Sequence, residues 1–449
     1  MPPRSAASAD EHPALRVYLA TFGCRANQAD SETLRAALRA AGAQVVADVE
    51  SADAAVFNSC AVTSAAEADL RRAVRRAARR RPELRTVVTG CAAALDRGVL
   101  AALPTVRAVI AGADPTRVAT ALELPQAMSR ATVRDAQTGT RALLRIQDGC
   151  DAHCTFCATT HARGASRSRP VAALVEDARA FARWHPEIVL TGIHIGSYGR
   201  DIGTTLSSLV LQLIRHVPDV RFRLTSIEAT EVDDALVELL AAEPRRLAPH
   251  LHAPLQSGSD RVLRRMGRHW YTAARYAGAI ERLARRLPRL GLGADVIAGF
   301  PGETEDDHRA TMSLVRDLPF TYLHVFPYSV RPGTAAERLP AQVPAAERAR
   351  RAAELRAIGE ARGHAYRRTR DGEAADVVVL GGGPEREGLT GDYLTVGVSG
   401  TWARGDRFEA RLSLGEDGRL CARAAARCVP EAVVAMGGTS TGDAHGQPC

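Results

Sequence analysis

The sequence predicts an α/β protein in three parts: an amino-terminal open α/β domain, a partial barrel of six strand-helix units, and a small carboxy-terminal β-barrel. Three observations carry that expectation. Short β-rich runs alternate with amphipathic segments as far as residue 368, cysteines stand directly after several of those runs, and beyond residue 370 short strands alternate with glycine turns. At 449 residues the chain is about three times a typical domain, so several cores are expected.

Composition excludes some classes. Hydrophobic residues make up 46% and charged residues 24%, an ordinary globular balance, and no apolar run is long enough to span a bilayer. The opening MPPRSAASADEHPAL lacks the basic start, apolar middle and small-residue cleavage site of a secretory signal, so a cytoplasmic protein is expected. In that reducing setting cysteines read as metal ligands or catalytic thiols rather than disulfide partners. The formal charge is +8 and all 59 basic residues are arginine, a composition that reports genomic base content rather than mechanism. The positive balance favours an anionic partner such as nucleic acid over a membrane. The run DLRRAVRRAARRR (69–81) reads either as a solvated helix face or as a phosphate-contacting one.

Residues 1–14 and 433–449 have no periodicity and are expected to be disordered. Between 15 and 125 the runs RVYLATFG, AAVFNS, TVVTG and VRAVIAG read as parallel strands, and the first three lead into Cys24, Cys60 and Cys91. Open α/β sheets put their sites beyond the carboxyl ends of strands, so these cysteines either converge on one pole or are three small buried residues. A connection at 126–139 leads to a stretch, 140–368, with six strand candidates: ALLRIQ, EIVLTG, RFRLTSIE, HLHAPLQS, GADVIAGF and YLHVFPYS. Six units are too few to close an eight-fold barrel. The loops after these strands carry Cys150, Gly192, Glu228, Gln256, Ser257 and the GFPGE turn. From 370 to 432, ADVVVLGGG, GLTGDYLTVGVSG, DRFEARLSL and RLCARAA read as a β-barrel that binds oligonucleotides or caps the core. Cys421 and Cys428 read as structural and Cys449 as incidental.

The segment CDAHCTFC (150–157) has C-x3-C-x2-C spacing. Three thiolates leave one iron of a four-iron cubane free for another ligand. Structural zinc would need a fourth ligand, and His153 is cramped inside the same loop.

That loop resembles the signature of radical S-adenosylmethionine enzymes. The likeness narrows to one family: TFGCRANQADSE, NSCAVTSAAEADLRR and VVTGCAA are similar to the amino-terminal domain of methylthiotransferases. RIQDGCDAHCTFC, RFRLTSIE, PHLHAPLQSGSDRVLRRMGR and ADVIAGFPGETEDD are similar to the radical S-adenosylmethionine core of that family, and GLTGDYLTVGV to its RNA-binding, TRAM-like barrel. The resemblance implies two 4Fe–4S clusters and S-adenosylmethionine as cofactors. Cys150, Cys154 and Cys157 would hold the cluster that cleaves the cofactor to a deoxyadenosyl radical. Cys24, Cys60 and Cys91 would hold a second cluster bearing an extra sulfur, methylated before it joins adenosine C2. These six are the expected catalytic and metal-binding residues.

By family position Phe156 would shield the cofactor, Gly192 would let the backbone approach its methionyl amine, and Ser226, Glu228, Gln256 and Ser257 would line its pocket. A tight strand-end turn at Gly192 and satisfied polar groups at the other four positions are the structural alternatives. His250 and His252 read as core or pocket-wall groups.

EIVLTGIHIGSYGRD and LHVFPYSVRPGTAA are most similar to the branch acting on N6-threonylcarbamoyladenosine at position 37 of tRNA, whose product is the 2-methylthio derivative. The isopentenyladenosine branch usually has Gln-Asn where this chain has Ile193 and His194. That branch and one acting on a ribosomal-protein aspartate are the alternatives. One departure stands out: ATTHARGASRSR replaces the family's Ile-Ile-Pro-Tyr-like segment after Cys157 and changes the loop near the substrate. Arg163, Arg167 and Arg169 in that stretch are expected to meet phosphate or the threonyl carboxylate, or else to pair with strand-end acids. The implied partners are a tRNA anticodon loop, an electron donor of flavodoxin or ferredoxin type and a sulfur donor, for a monomer without membrane contact. The rival class is an RNA-binding protein whose clusters are structural or redox-sensing.

Overall fold

The structure is a computed structural model and describes residues 14–61, 63–125, 137–381 and 386–424. The expected disordered ends, all but the last residue of 1–14 and the whole of 433–449, lie outside these residues, as do most of the 126–139 connection, Cys428 and Cys449.

The first part is an all-parallel sheet in the order Gln44–Val46, Arg16–Thr21, Ala54–Ser59, Arg85–Gly90, Val106–Ala111. Its central strand AAVFNS is buried at every position, because helices cover both faces of a parallel sheet and an alternating pattern is not needed. Leu34 and Leu38 of helix Arg25–Ala40 pack with Val118 on one face, and Leu70 and Val74 of helix Ser64–Arg80 fill the other. The chain therefore leaves the strand ends carrying its cysteines at one pole.

In the second part six parallel strands follow in chain order: Ala142–Arg145, Glu187–Thr191, Arg221–Leu224, His250–His252, Gly291–Ala298 and Tyr322–Pro327. Two three-stranded ladders join through the bridges Phe222–Leu247 and Ser226–His252. Among the described residues the first and last strands share no ladder, so the barrel is open as expected. Helix Arg25–Ala40 of the first part packs against the edge strand Ala142–Arg145. Asp30 there pairs with Arg145, and Glu32 accepts from the Thr138 amide at 3.2 Å. The cysteine pole is thereby anchored beside the open barrel.

The third part is a closed five-stranded barrel in the order Ala374–Val379, Arg386–Thr390, Thr395–Val398, Leu420–Ala424, Arg407–Leu414. Cys421 lies on its fourth strand in this order and is half-buried. Helix Ala345–Thr369 leads into the barrel and packs along Tyr322–Pro327. A buried polar seam joins barrel to core. Arg221 donates to Glu187 at 2.6 Å and to the Asp376 carbonyl at 2.8 Å, while Arg223 donates to Glu187 at 2.8 Å and to the carbonyls of Thr390 and Gly391 at 2.9 Å. Burying two guanidinium groups is costly unless each has its partners, and here the facing part supplies them.

Candidate active site at two cysteine triads

Cys24 is the N-cap of helix Arg25–Ala40, Cys60 follows strand Ala54–Ser59 directly, and Cys91 opens the short helix Cys91–Ala94. The fold brings them together. The Asn27 side-chain oxygen lies 3.6 Å from Cys24 Sγ and 3.8 Å from Cys91 Sγ, and the Asn27 amide donates to the Phe22 and Ser59 carbonyls at 3.1 and 2.6 Å. One asparagine thus fixes the loops from which the triad projects. Two glycines make the approach feasible. Gly23 (φ +100°) and Gly90 (φ +93°) occupy left-handed backbone, and a Cβ would strike Cys60 at the first and Asn58 at the second. The three cysteines therefore converge at one pole of the sheet.

Arg163 closes the triad from the barrel side. It donates to Cys91 Sγ at 3.2 Å, Asn27 Oδ1 at 2.9 Å, Asp30 at 2.7 Å and Asp148 at 3.1 Å, with its side chain only 8% exposed. Burial works against its charge, and Asp30, Cys91 and Asp148 outweigh that, so the guanidinium is held protonated. Burial pushes the Cys91 thiol up to about 11, with Arg163 opposing. Of the two readings given for Arg163, pairing with acids is the one seen: its donors are spent on tying the two parts together. Arg169 likewise pairs with Asp177 at 2.6 Å and the Arg145 carbonyl at 3.1 Å. Of the three, Arg167 remains exposed.

The second triad lies between the two-residue strand Gln147–Asp148 and helix Thr159–Arg163. Each sulfur faces a nitrogen. Cys150 Sγ is 3.8 Å from His194 Nδ1 and accepts from the Ala152 amide at 3.4 Å; Cys154 Sγ accepts from Arg268 at 3.5 Å; Cys157 Sγ accepts from the Thr159 amide at 3.4 Å. Burial pushes the Cys154 thiol up to about 11 against the pull of Arg268. At His194, burial opposes the charge, but Cys150 and Glu231, the latter 2.8 Å from Nε2, push its pKa up to about 10. Half-buried sulfur facing N–H donors suits thiolates of an iron-sulfur cluster, which such bonds stabilise. His153, the ligand a zinc site would need, is exposed. The loop that departs from the family pattern forms the helix Thr159–Arg163, which packs on Cys91–Ala94 and sets the triads side by side.

The pocket residues differ in their freedom. Glu228 pairs with Arg268 through one oxygen, while its other oxygen is buried without a partner, as is the Thr191 hydroxyl. The free Glu228 oxygen, tied to the second triad through Arg268 and Cys154, fits a ligand rich in hydroxyl and ammonium donors, as S-adenosylmethionine is. Gln256 holds φ +65°, a strained conformation for a residue with a side chain, and is half-buried. Ser257 is committed elsewhere: its hydroxyl lies 3.4 Å from that of Thr311 and accepts from the Ser259 amide at 3.2 Å. Gly192 lacks positive φ; a Cβ there would come within 2.9 Å of both the carbonyl and the side-chain oxygen of Gln147, so the glycine admits Gln147. Phe156 packs edge-on against Phe300, ring centroids 6.3 Å apart.

A cavity of about 560 Å³ opens at the first triad, with Cys24 and Cys60 on one wall and Ser226, His252, Asp295 and His324 from the open barrel on another. The third part reaches in through Tyr393 (φ +71°), whose ring stacks on His250 at 4.2 Å. His250 and His252 are wall groups, as the sequence indicates. Asn27, Arg268, Asp295, His324 and Tyr393 escaped the sequence reading. Only Asp295, an acid inside an otherwise apolar strand, offered a local signal.

Comparison with known proteins agrees with this geometry. The Uncharacterized protein family UPF0004 matches residues 16–112 and the Radical SAM superfamily residues 144–315. The threonylcarbamoyladenosine tRNA methylthiotransferase of Rickettsia prowazekii is 33% identical over 426 residues, covering 90% of this chain and 97% of its own. The tRNA-2-methylthio-N(6)-dimethylallyladenosine synthase of Cereibacter sphaeroides is 37% identical over 353 residues, covering 74% and 80%. Among solved structures, the radical S-adenosylmethionine methyltransferase TsrM from Kitasatospora setae, with cobalamin and a [4Fe-4S] cluster bound, matches with a TM-score of 0.54 at 16% identity, covering 72% of this chain and 77% of that one. That likeness shows the fold alone. With both triads assembled and relatives matched over most of both lengths, the chain belongs to the radical S-adenosylmethionine methylthiotransferase family, transferases that work with S-adenosylmethionine and two 4Fe–4S clusters.

Proposed function

We propose that this chain converts N6-threonylcarbamoyladenosine at position 37 of tRNA to its 2-methylthio derivative. The observation that carries this reading is the charge of the cavity at Cys24 and Cys60. Arg25, which meets no acid among the described residues, lines it together with Arg141 and Arg223, which share the buried Glu187 carboxylate, and Asp295 is the one acid on its wall. A threonyl carboxylate gains from such walls, whereas an isopentenyl group, being apolar, does not.

When bound, S-adenosylmethionine and the two clusters supply the radical and sulfur chemistry. The chain's own part is to hold and orient. Cys150, Cys154 and Cys157 hold one cluster, and His194 and Arg268 place nitrogen donors on two of those sulfurs. Cys24, Cys60 and Cys91 hold the other, braced by Asn27 and Arg163. The free oxygen of Glu228 would offer S-adenosylmethionine an acceptor, with Phe156, Gln256 and Ser226 as further residues toward it, Ser226 also lining the cavity at Cys24 and Cys60. Ser257 and Gly192 serve by shaping the loops, through Thr311 and Gln147.

A single-stranded anticodon loop suits this site because its base can be splayed out without opening a duplex. The carboxy-terminal barrel abuts the cavity through Tyr393 and is placed to hold the loop's backbone. The reaction calls for a one-electron reductant of flavodoxin or ferredoxin type and a source of sulfur, and we read the enzyme as a cytoplasmic monomer. Among the described residues no helix is long and apolar enough to cross a membrane.

The test is mass spectrometry of tRNA nucleosides from a host lacking this modification, with and without expression of the chain. The 2-methylthio derivative of N6-threonylcarbamoyladenosine is expected. Appearance of the isopentenyl counterpart would overturn the substrate assignment. Neither product, with clusters loaded, would favour a ribosomal-protein target or an RNA-binding role.

A further inference from the structure

We propose that His324, held by Asp295 and a hydrogen-bonded chain behind it, is the residue that recognises the carboxylate-bearing N6 substituent and so sets the substrate choice. The proposal deepens the function given above and rests on it.

The argument begins with strand Tyr322–Pro327. Successive side chains of a strand alternate between faces, and Tyr322, His324 and Phe326 all line the cavity that holds Cys24 and Cys60. His324 Nδ1 lies 3.4 Å from Asp295 Oδ1, and His252 Nε2 lies 3.0 Å from the same oxygen. His252 Nδ1 is 3.1 Å from the Tyr322 hydroxyl, which is 2.8 Å from His250 Nε2. Four groups thus stand in line behind His324: Asp295, His252, Tyr322 and His250.

The proton positions follow in order. Burial raises the cost of charging Asp295, but the two imidazoles outweigh it and keep the carboxylate ionised, so His252 and His324 present N–H to it. Burial keeps His250 neutral, and its Nδ1 is buried without a partner. A bare acceptor is the less costly orphan, so His250 Nε2 carries the hydrogen and donates to Tyr322. Tyr322 in turn donates to His252. Each ring of the chain is fixed by the next, and His324 alone presents a free edge: its side chain is 53% exposed. With Nδ1–H turned to Asp295, Nε2 is left for a ligand and among the described residues no hydrogen bond reaches it; a carboxylate bound there meets the doubly protonated ring, with Nε2–H donating to it.

Two ligands suit such an edge. Three ligand atoms, from His252, Asp295 and His324, lie within 4.8 Å of one another, a spacing that also suits a divalent metal ion. The surroundings decide against the ion. Arg141 and Arg223 on the same cavity wall share the Glu187 carboxylate, and Arg25 meets only the Gln28 side-chain oxygen among the described residues, so the wall keeps a net positive charge, which repels a divalent cation while attracting a carboxylate. The substituent also carries a hydroxyl and a carbamoyl group, so one polar edge beside arginines recognises it and leaves an apolar N6 group unrewarded. A site built for hydrogen bonds rejects a ligand lacking them more strongly than an apolar pocket rejects a small change in size.

The experiment uses the anaerobically reconstituted full chain with two RNAs. One is an anticodon stem-loop carrying N6-threonylcarbamoyladenosine; the other is the same RNA with the threonyl carboxylate capped as an amide. His324→Leu is expected to raise KM for the first RNA by about tenfold or more while kcat at saturation stays within about threefold. On the capped RNA, already a poor substrate, His324→Leu should add no further loss. His324→Gln, which keeps a polar edge, should recover part of the KM. Iron content equal to the parent's reports an intact fold in both variants. Equal losses on both RNAs, or a loss in kcat alone, would overturn the proposal. So would a stoichiometric divalent metal other than iron, measured in the parent and missing from His324→Leu. Failure of the underlying functional reading would show separately, as no methylthiolation of the first RNA by the parent.

Discussion

Arg163 shows how much one side chain holds here. Its guanidinium reaches a sulfur, an amide oxygen and two carboxylates from two parts of the chain, and Asp30 beside it is 1% exposed. Removing one partner of a buried ion pair strands the other, at a cost of about 3–5 kcal/mol. Arg163→Met is therefore expected to lower stability by roughly that amount in urea titration and to lose iron from the first triad only, as iron analysis would show. Unchanged stability would mean that the bridge is not formed. Gly90 gives a second prediction at this scale. Its positive φ and the collision of a Cβ with Asn58 make Gly90→Ala destabilising by about 2 kcal/mol or more, measured the same way. The two cysteine triads that the fold assembles were legible because their spacing and their places after strands are local features. The role of Arg163 was not. Its partners Asn27 and Asp30 lie 136 and 133 positions away, and an arginine behind a cysteine loop reads equally as an RNA contact.

At the scale of elements, the core strands were readable because each is a β-rich run ending at a loop. The edge strand Gln44–Val46 was missed, since three residues are too few to show a period. The seam between core and carboxy-terminal barrel was also hidden. RFRLTSIE reads as a strand with two arginines, and nothing local says that both are buried against Glu187 and the carbonyls of a later barrel. Burial works against the Glu187 charge, but Arg223 and Arg221 outweigh it and hold its carboxyl well below the usual range. A carboxylate with a depressed folded pKa stabilises at pH above its unfolded value, near about 4.3, and loses that contribution as pH falls through the folded value. Glu187→Gln is expected to cost about 3 kcal/mol at pH 7, with the gap to the parent narrowing below about pH 4. Urea titrations at the two pH values check this. A gap that held constant with pH would place the cost elsewhere.

For the whole molecule, the sequence indicated three parts in order but not their arrangement. Helix Arg25–Ala40 packs on the barrel's edge strand, helix Thr159–Arg163 packs on Cys91–Ala94, and Tyr393 reaches the cavity from the carboxy-terminal barrel. These are contacts between distant segments, fixed by tertiary packing rather than by any local pattern. They place two triads side by side, with the cationic cavity opening at the first of them. The most direct test of that account is iron and sulfide analysis of the anaerobically reconstituted parent beside Cys24→Ala and Cys150→Ala. The parent should bind about eight irons and each variant about four, with the remaining cluster visible in its electron paramagnetic resonance spectrum. A parent holding only about four irons, or either variant retaining the parent's full content, would contradict the assignment of two separate clusters.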